Sequence, residues 1–155
     1  MTNIYFPDEE ITFNDLYFVC YIIERTARVV KQRNRYVVDR LGAEGLAHQL
    51  SIADTNHCLN PEQVVAEWVE EYHIGMGDFD VTQVNPQYTD YVPSDIQMGK
   101  VYARLINSVA QDGALVEKIQ QVYHSPICEI IDNYNTSAYY EPSYVQTRAF
   151  YNGFF

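Results

Sequence analysis

Apolar residues recur along this chain mostly at three- and four-residue intervals, the period that gathers them on one face of a helix. The clearest run follows Thr12 and Asp15, which are spaced as a capping box. Leu16, Val19, Cys20, Ile23, Ala27 and Val30 then form one stripe, and Asn34 marks its stop. Beyond it the pattern predicts a short helix over 36–41 that stops at Gly42. A second one runs from Ala43 to Ile52 with Leu46, Leu50 and Ile52 inward, and loop chemistry follows over 54–59. Asn60-Pro61-Glu62-Gln63 is a strong start, because Asn accepts from the free amides of a first turn and Pro suits its first position. Val64, Val65, Trp68, Val69 and Tyr72 give that helix its buried face, and Gly75 ends it.

Residues 75–93 read as a long connection in which Phe79-Asp80-Val81 suggests a short strand. Ser94 with Gln97 repeats the capping box ahead of Met98, Val101, Tyr102, Leu105 and Val109, a helix expected to end near Asp112-Gly113. Leu115, Ile119, Val122 and Tyr123 mark another helix, and Ser125-Pro126 opens the last one, above Ile127, Ile130 and Ile131. The expectation is an all-α fold: a compact bundle of about six to seven helices with a long central loop and an aromatic-rich C-terminal tail. Residues 1–155 form one domain in this reading, with sub-halves 1–75 and 94–155 joined by the loop 76–93.

Composition supports a folded core, since 47% of the 155 residues are hydrophobic and only 20% charged. Cys20, Cys58 and Cys128 are odd in number and widely spaced, which suits buried free thiols in a reducing compartment better than a disulfide framework. The first residues have no basic and apolar pattern of a secretion signal, and no segment has the length of a membrane span. A cytoplasmic location is the expectation.

Charge is distributed unevenly. Residues 1–40 balance six acids against Arg25, Arg28, Lys31, Arg33, Arg35 and Arg40. Residues 41–155 hold fifteen acids against Lys100, Arg104, Lys118 and Arg148, so the net charge of −11 lies there. Such a surface repels phosphates, keeps a Tyr-rich chain soluble and favours a partner with a basic surface.

Few constellations suggest chemistry. His48, His57, His73 and His124 fall on separate segments, so no pair has the spacing of a helical metal motif. Asp54, His57 and Cys58 are zinc-ligand types in one loop but lack a second matched pair. Asp78 and Asp80 lie beside Gly75 and Gly77, and together with His73 they are the candidates for a Mg²⁺-dependent, nucleotide-binding enzyme. No phosphate-cradling loop and no neighbouring Lys or Arg accompanies them. Arg33, Arg35 and Arg40 around a helix pair broken at Gly42 faintly suggest a helix-turn-helix DNA-binding regulator. The would-be recognition helix from Ala43 to Leu50 offers no Lys or Arg, which weighs against nucleic acid. No nucleophile signature occurs, and no cofactor is expected.

Eight aromatics lie between Tyr134 and Phe155. Tyr139, Tyr140, Tyr144, Tyr151, Phe154 and Phe155 are the candidate partner-binding residues, because aromatic rings offer large contact area at low entropy cost. The same segment could equally wrap the helices and complete the core. A homodimer is open on the same grounds.

The stretch Leu16-Tyr17-Phe18-Val19-Cys20-Tyr21-Ile22-Ile23-Glu24, then Leu41-Gly42, then Val65-Ala66-Glu67-Trp68-Val69-Glu70-Glu71-Tyr72, resembles small uncharacterised bacterial helical proteins. Some of those are encoded beside ADP-ribosyltransferase-like toxins. The resemblance covers roughly the first half of the chain and implies an antitoxin-like or inhibitory binder with no catalysis of its own. It transfers no functional residues. The leading expectation is therefore a non-enzymatic protein–protein interaction module.

Overall fold

The computed structural model describes residues 1–83, 91–110 and 114–155, and among them every regular element is helical. Seven α-helices are present: α1 (Phe13–Val30), α2 (Asn34–Asn56), α3 (Pro61–Glu71), α4 (Asp95–Val109), α5 (Leu115–Tyr123), α6 (Pro126–Ile131) and α7 (Ser143–Asn152). Two short 3₁₀ turns, Val81–Gln83 and Ala138–Tyr140, complete the list. The all-α bundle expected from periodicity is the fold observed. No described helix is long and apolar enough to cross a membrane.

Local chemistry sets the starts. The Thr12 hydroxyl accepts from the Asp15 amide at 3.2 Å while the Asp15 carboxylate accepts from the Thr12 amide at 2.8 Å. Ser94 and Gln97 do the same for α4, at 3.1 and 2.8 Å. Each such cap satisfies amides that a first turn leaves unpaired and stabilises by about 1 kcal/mol. Asn60 and Ser125 cap α3 and α6, each followed by Pro at the first helical position. α1 stops three residues before Asn34, at Lys31, whose backbone enters the left-handed region (φ 57°).

Several expectations need correction. The two helices foreseen on either side of Gly42 follow one another directly as α2, kinked there, and the second continues past Ile52 to Asn56. Gly42 holds φ 67° and ψ −179°, a conformation that a residue with a Cβ avoids. The strand foreseen at Phe79–Val81 is absent; Asp80 instead accepts from the Thr82 amide and hydroxyl at 2.9 and 2.6 Å and starts the Val81–Gln83 turn. α4 ends at Val109, and the expected stop at Asp112-Gly113 lies outside the described residues. Cys58 is exposed, while Cys20 and Cys128 are buried free thiols as expected. The tail contributes a helix of its own, α7, which periodicity did not reveal.

Packing centres on α1. It lies against α2, α3 and α4, and one apolar core takes residues from both sides of the 76–93 connection. Trp68, Tyr102, Tyr123, Ile22, Ile23 and Leu46 are its largest fully buried side chains. α1 and α4 approach so closely at Gly99 that a Cβ there would stand 2.6 Å from the Tyr21 Cα. Glycine at 99 makes that crossing possible.

Candidate functional site

Two places concentrate chemistry-bearing side chains, one inside the bundle and one on its surface. The inner one is built where α1, α2, α4 and α6 converge. Glu24 on α1 is 1% exposed, and Asp132, just after α6, is 8% exposed. The Tyr102 hydroxyl donates to Asp132 Oδ1 at 2.7 Å, and Asn34 Nδ2 donates to Oδ2 at 3.0 Å. The Cys128 thiol stands 3.5 Å from the same carboxylate and 3.0 Å from the Tyr102 hydroxyl. Arg28 approaches Glu24 Oε1 at 3.5 Å and also donates to the Tyr134 hydroxyl at 3.0 Å and to the Pro93 carbonyl at 2.8 Å. Glu24 Oε2 has no hydrogen-bond partner among the described residues.

Burial dominates the protonation of this junction. It pushes Glu24 up to about 7, with the nearby Asp132 adding to the rise and Arg28 opposing it. Burial likewise pushes Asp132 up to about 6, against the hydrogen bonds from Tyr102 and Asn34. Taking a carboxylate out of water penalises its charged form, so near neutral pH these acids hold a proton part of the time. Cys20 is pushed up to about 12 and Cys128 well above its ordinary value, both chiefly by burial, so neither thiol is a ready nucleophile. Among the described residues, neither Glu24 nor Asp132 lines any of the four main surface clefts. The junction is a buried polar network that ties α1, α2, α4 and α6 together.

Sequence reading missed this network, although the signal was present. Glu24 sits four residues after Cys20 and three before Ala27, within the apolar stripe of α1. Asp132 stands four residues after Cys128 and directly after Ile131. A carboxylate in a buried stripe is a functional or structural flag whenever its partners come from other helices.

The outer place is the C-terminal aromatic segment. Tyr134, Ala138, Gln146 and Ala149 turn inward, with Gln146 donating to the Ala138 and Tyr139 carbonyls at 2.8 and 3.3 Å. Of the six expected partner-binding residues, Tyr139 packs half-buried against Tyr134 and Tyr140. The other five face outward: Tyr140, Tyr144, Tyr151 and Phe154 each expose about two-thirds of their surface (67%, 71%, 63%, 64%) and Phe155 42%. The segment is thus both core and surface, divided along α7. A groove on one side of α7 runs between Phe154, Phe155 and Arg148; on the other side Lys100 and Arg104 of α4 face Tyr139, Tyr140 and Pro142. Ser108 and Thr147 hydroxyls bond at 2.6 Å and fix α7 on α4.

The remaining candidates are drawn into local structure. Lys31, distant in sequence, reaches Asp80 at 3.1 Å, so that carboxylate meets a cation and the Thr82 turn together. These contacts hold the Asp80 carboxyl below its ordinary value, the Thr82 hydroxyl first among them. Asp78 joins no ion pair among the described residues. Arg33 and Arg35 both meet Glu129, at 3.6 and 3.1 Å, and Arg40 donates to the Tyr72 carbonyl at 3.1 Å. His57 Nδ1 bonds the Asp54 carbonyl at 2.9 Å, and among the described residues no group of three His, Cys, Asp or Glu is arranged to hold a metal ion. No family model, curated protein or solved structure matches this chain.

Proposed function

We propose that this chain is a non-enzymatic protein-interaction module whose docking surface is the outward aromatic face of α7 and the residues after it. The exposure of Tyr140, Tyr144, Tyr151, Phe154 and Phe155 carries the reading. Five large rings left in water along one helix and its flanks cost hydrophobic free energy that docking against a partner recovers. The role implied by the resemblance, an antitoxin-like or inhibitory binder, fits a chain in which Glu24, Asp132, Cys20 and Cys128 are sealed inside. Arginines that would have to meet phosphates are already paired with Glu129 or a backbone carbonyl. The carboxylate of Asp80 is held by Lys31 and Thr82, which leaves it little capacity for a Mg²⁺-bound nucleotide.

Local charge refines the partner. The acidic field of residues 41–155 favours a basic protein surface in general, whereas the aromatic face itself is rimmed by Lys100, Arg104 and Arg148. A segment seated on that face therefore combines apolar groups with carboxylates. Quantitative affinity capture from extracts of the source organism tests the reading, comparing the wild-type chain with a Tyr144→Ala/Tyr151→Ala/Phe154→Ala variant of equal melting temperature. A stoichiometric protein partner retained by the first and lost by the second is expected. If it shows ADP-ribosyltransferase activity that the chain suppresses, the inhibitory role follows. Equal capture by both proteins, or none by either, overturns the docking surface.

A further inference from the structure

The cations of this chain fall into two groups. Arg25, Arg28, Lys31, Arg33 and Arg35 all join ion pairs with acids of the same chain, and Arg40 is held by a carbonyl. Lys100, Arg104, Lys118 and Arg148 join none among the described residues, and all four border the C-terminal aromatics. Lys100 and Arg104 stand one turn apart on α4 and form one wall of a groove of about 470 Å³, with Val101 between them and Tyr139, Tyr140 and Pro142 opposite. In a molecule of net charge −11, this is where cations stand without an ion pair among the described residues: Lys100 has only the Tyr17 ring, 5.9 Å away, and the one acid that shares the groove lining, Glu141, accepts from the Ser137 hydroxyl at 2.8 Å.

The complementary surface is on the same chain. Residues 1–11 fold back as a tight loop, with the Asn3 amide donating to the Glu9 carbonyl at 2.9 Å and the Ile11 amide to the Met1 carbonyl at 2.9 Å. Asn3 anchors it twice: its Nδ2 donates to the Ser51 carbonyl of α2 at 2.8 Å, and its Oδ1 accepts from the Tyr5 and Phe6 amides. The loop presents Phe6 at 57% exposure, followed by exposed Asp8 and Glu9, which join no ion pair among the described residues, while Tyr5 is tied to α2 by the bond between its hydroxyl and His48 Nδ1 at 2.5 Å. An aromatic anchor followed by carboxylates matches a groove of aromatic and cationic walls. The loop is pre-ordered by its own hydrogen bonds, so docking it freezes little further motion. The two surfaces cannot meet within one molecule, because the loop rides on α2 and the groove lies on α4, and α1 and α5 pack between those helices.

We propose that the occupant of the α4 groove is a second copy of this chain, which inserts the Tyr5–Glu9 loop so that Phe6 meets Tyr139 and Tyr140 while Asp8 and Glu9 meet Lys100 and Arg104. The inference rests on the reading of the C-terminal face as an interface and names what fills one of its grooves. Made one way, such a contact is head-to-tail and builds a closed ring or an open chain; made reciprocally, each copy's loop in the other's groove, it builds a two-fold dimer.

Sedimentation equilibrium of the full-length protein, from micromolar to millimolar concentration and at low and high salt, provides the test. The wild type associates, and more weakly in high salt because exposed charges are screened. Lys100→Glu/Arg104→Glu and Asp8→Lys/Glu9→Lys variants each associate at least tenfold more weakly, with melting temperatures unchanged. Their equimolar mixture regains association, since each reversed surface then finds an opposite one. A wild type that stays monomeric throughout, association indifferent to both charge reversals, or a mixture that stays monomeric overturns the proposal. In any of those cases, capture of another protein through Tyr144, Tyr151 and Phe154 would leave the interaction-module reading standing, so the two fail separately.

Discussion

Tyr102 and Tyr144 offer the same ring and hydroxyl, and the fold uses them in opposite ways. Tyr102 is fully buried, stacked on Tyr123 with centroids 4.6 Å apart, and its hydroxyl ends on Asp132. Tyr144 is 71% exposed on the outer side of α7. The inner junction joins polar groups from four helices and satisfies most of them, Glu24 Oε2 and Arg28 Nε excepted among the described residues, which fixes how those helices meet. The outer face leaves rings and cations unmatched, which is what a surface kept for another molecule looks like. The difference between the regions lies in whether partners are supplied by the same chain, and residue type alone does not reveal it.

Removing the buried ring breaks the comparison hardest. Tyr102→Ala deletes the stack on Tyr123 and leaves Asp132 without its closest donor, so a loss of about 3–5 kcal/mol is expected in chemical denaturation. Tyr102→Phe keeps the ring and separates the hydrogen bond from the packing, so it should cost less than half of that.

The junction also makes stability depend on pH, in a direction opposite to a paired surface carboxylate. Glu24 and Asp132 have folded-state values of about 7 and about 6, raised from 4.5 and 3.8, so the folded state holds protons that the unfolded chain has released. Their stabilising contribution is whole below about pH 4 and is lost as pH rises through 6 and 7, at up to about 1.4 kcal/mol per pH unit for each acid. The melting temperature should therefore fall between about pH 4.5 and 7 and level off above that. Glu24→Gln, which keeps the shape without the charge, should flatten that decline. A melting temperature that climbs over the same interval would show that the junction holds its carboxylates ionised.

Much of this was legible from periodicity and caps. Thr12 with Asp15, Asn60-Pro61, Ser94 with Gln97 and Ser125-Pro126 each begin a helix where expected, because capping is decided within four residues. The outward aromatics were singled out by composition. What stayed hidden depends on distant residues. Lys31 meets Asp80 across 49 positions, and Asn34 meets Asp132 across 98. α7 escaped because Ser143–Asn152 mixes outward rings with only two buried residues, Gln146 and Ala149, too thin a stripe to read as a helix face.

Adjacent positions on α4 give the finest form of the comparison. Gly99 faces inward against the α1 backbone, where an added Cβ would meet Tyr21 Cα at 2.6 Å and Tyr21 N at 2.7 Å. Backbone atoms cannot swing aside as a flexible side chain does, so Gly99→Ala must push α1 and α4 apart. Alanine's better helix propensity, worth about 1 kcal/mol, offsets part of the strain. A net loss of about 1–2 kcal/mol is expected from overpacking. Lys100, one residue on, is exposed beside the groove with its ammonium 5.9 Å from the centroid of the Tyr17 ring on α1, and Lys100→Ala, which removes that weak contact but no ion pair, should change stability by no more than about 0.5 kcal/mol. Equilibrium unfolding of the two variants side by side checks this. If Gly99→Ala proves neutral, the α1–α4 crossing has slack and the core is looser than its contacts imply. If Lys100→Ala proves costly, the Tyr17 ring holds its cation more strongly than a 5.9 Å separation implies, and the case for a surface awaiting a partner weakens at its most charged point.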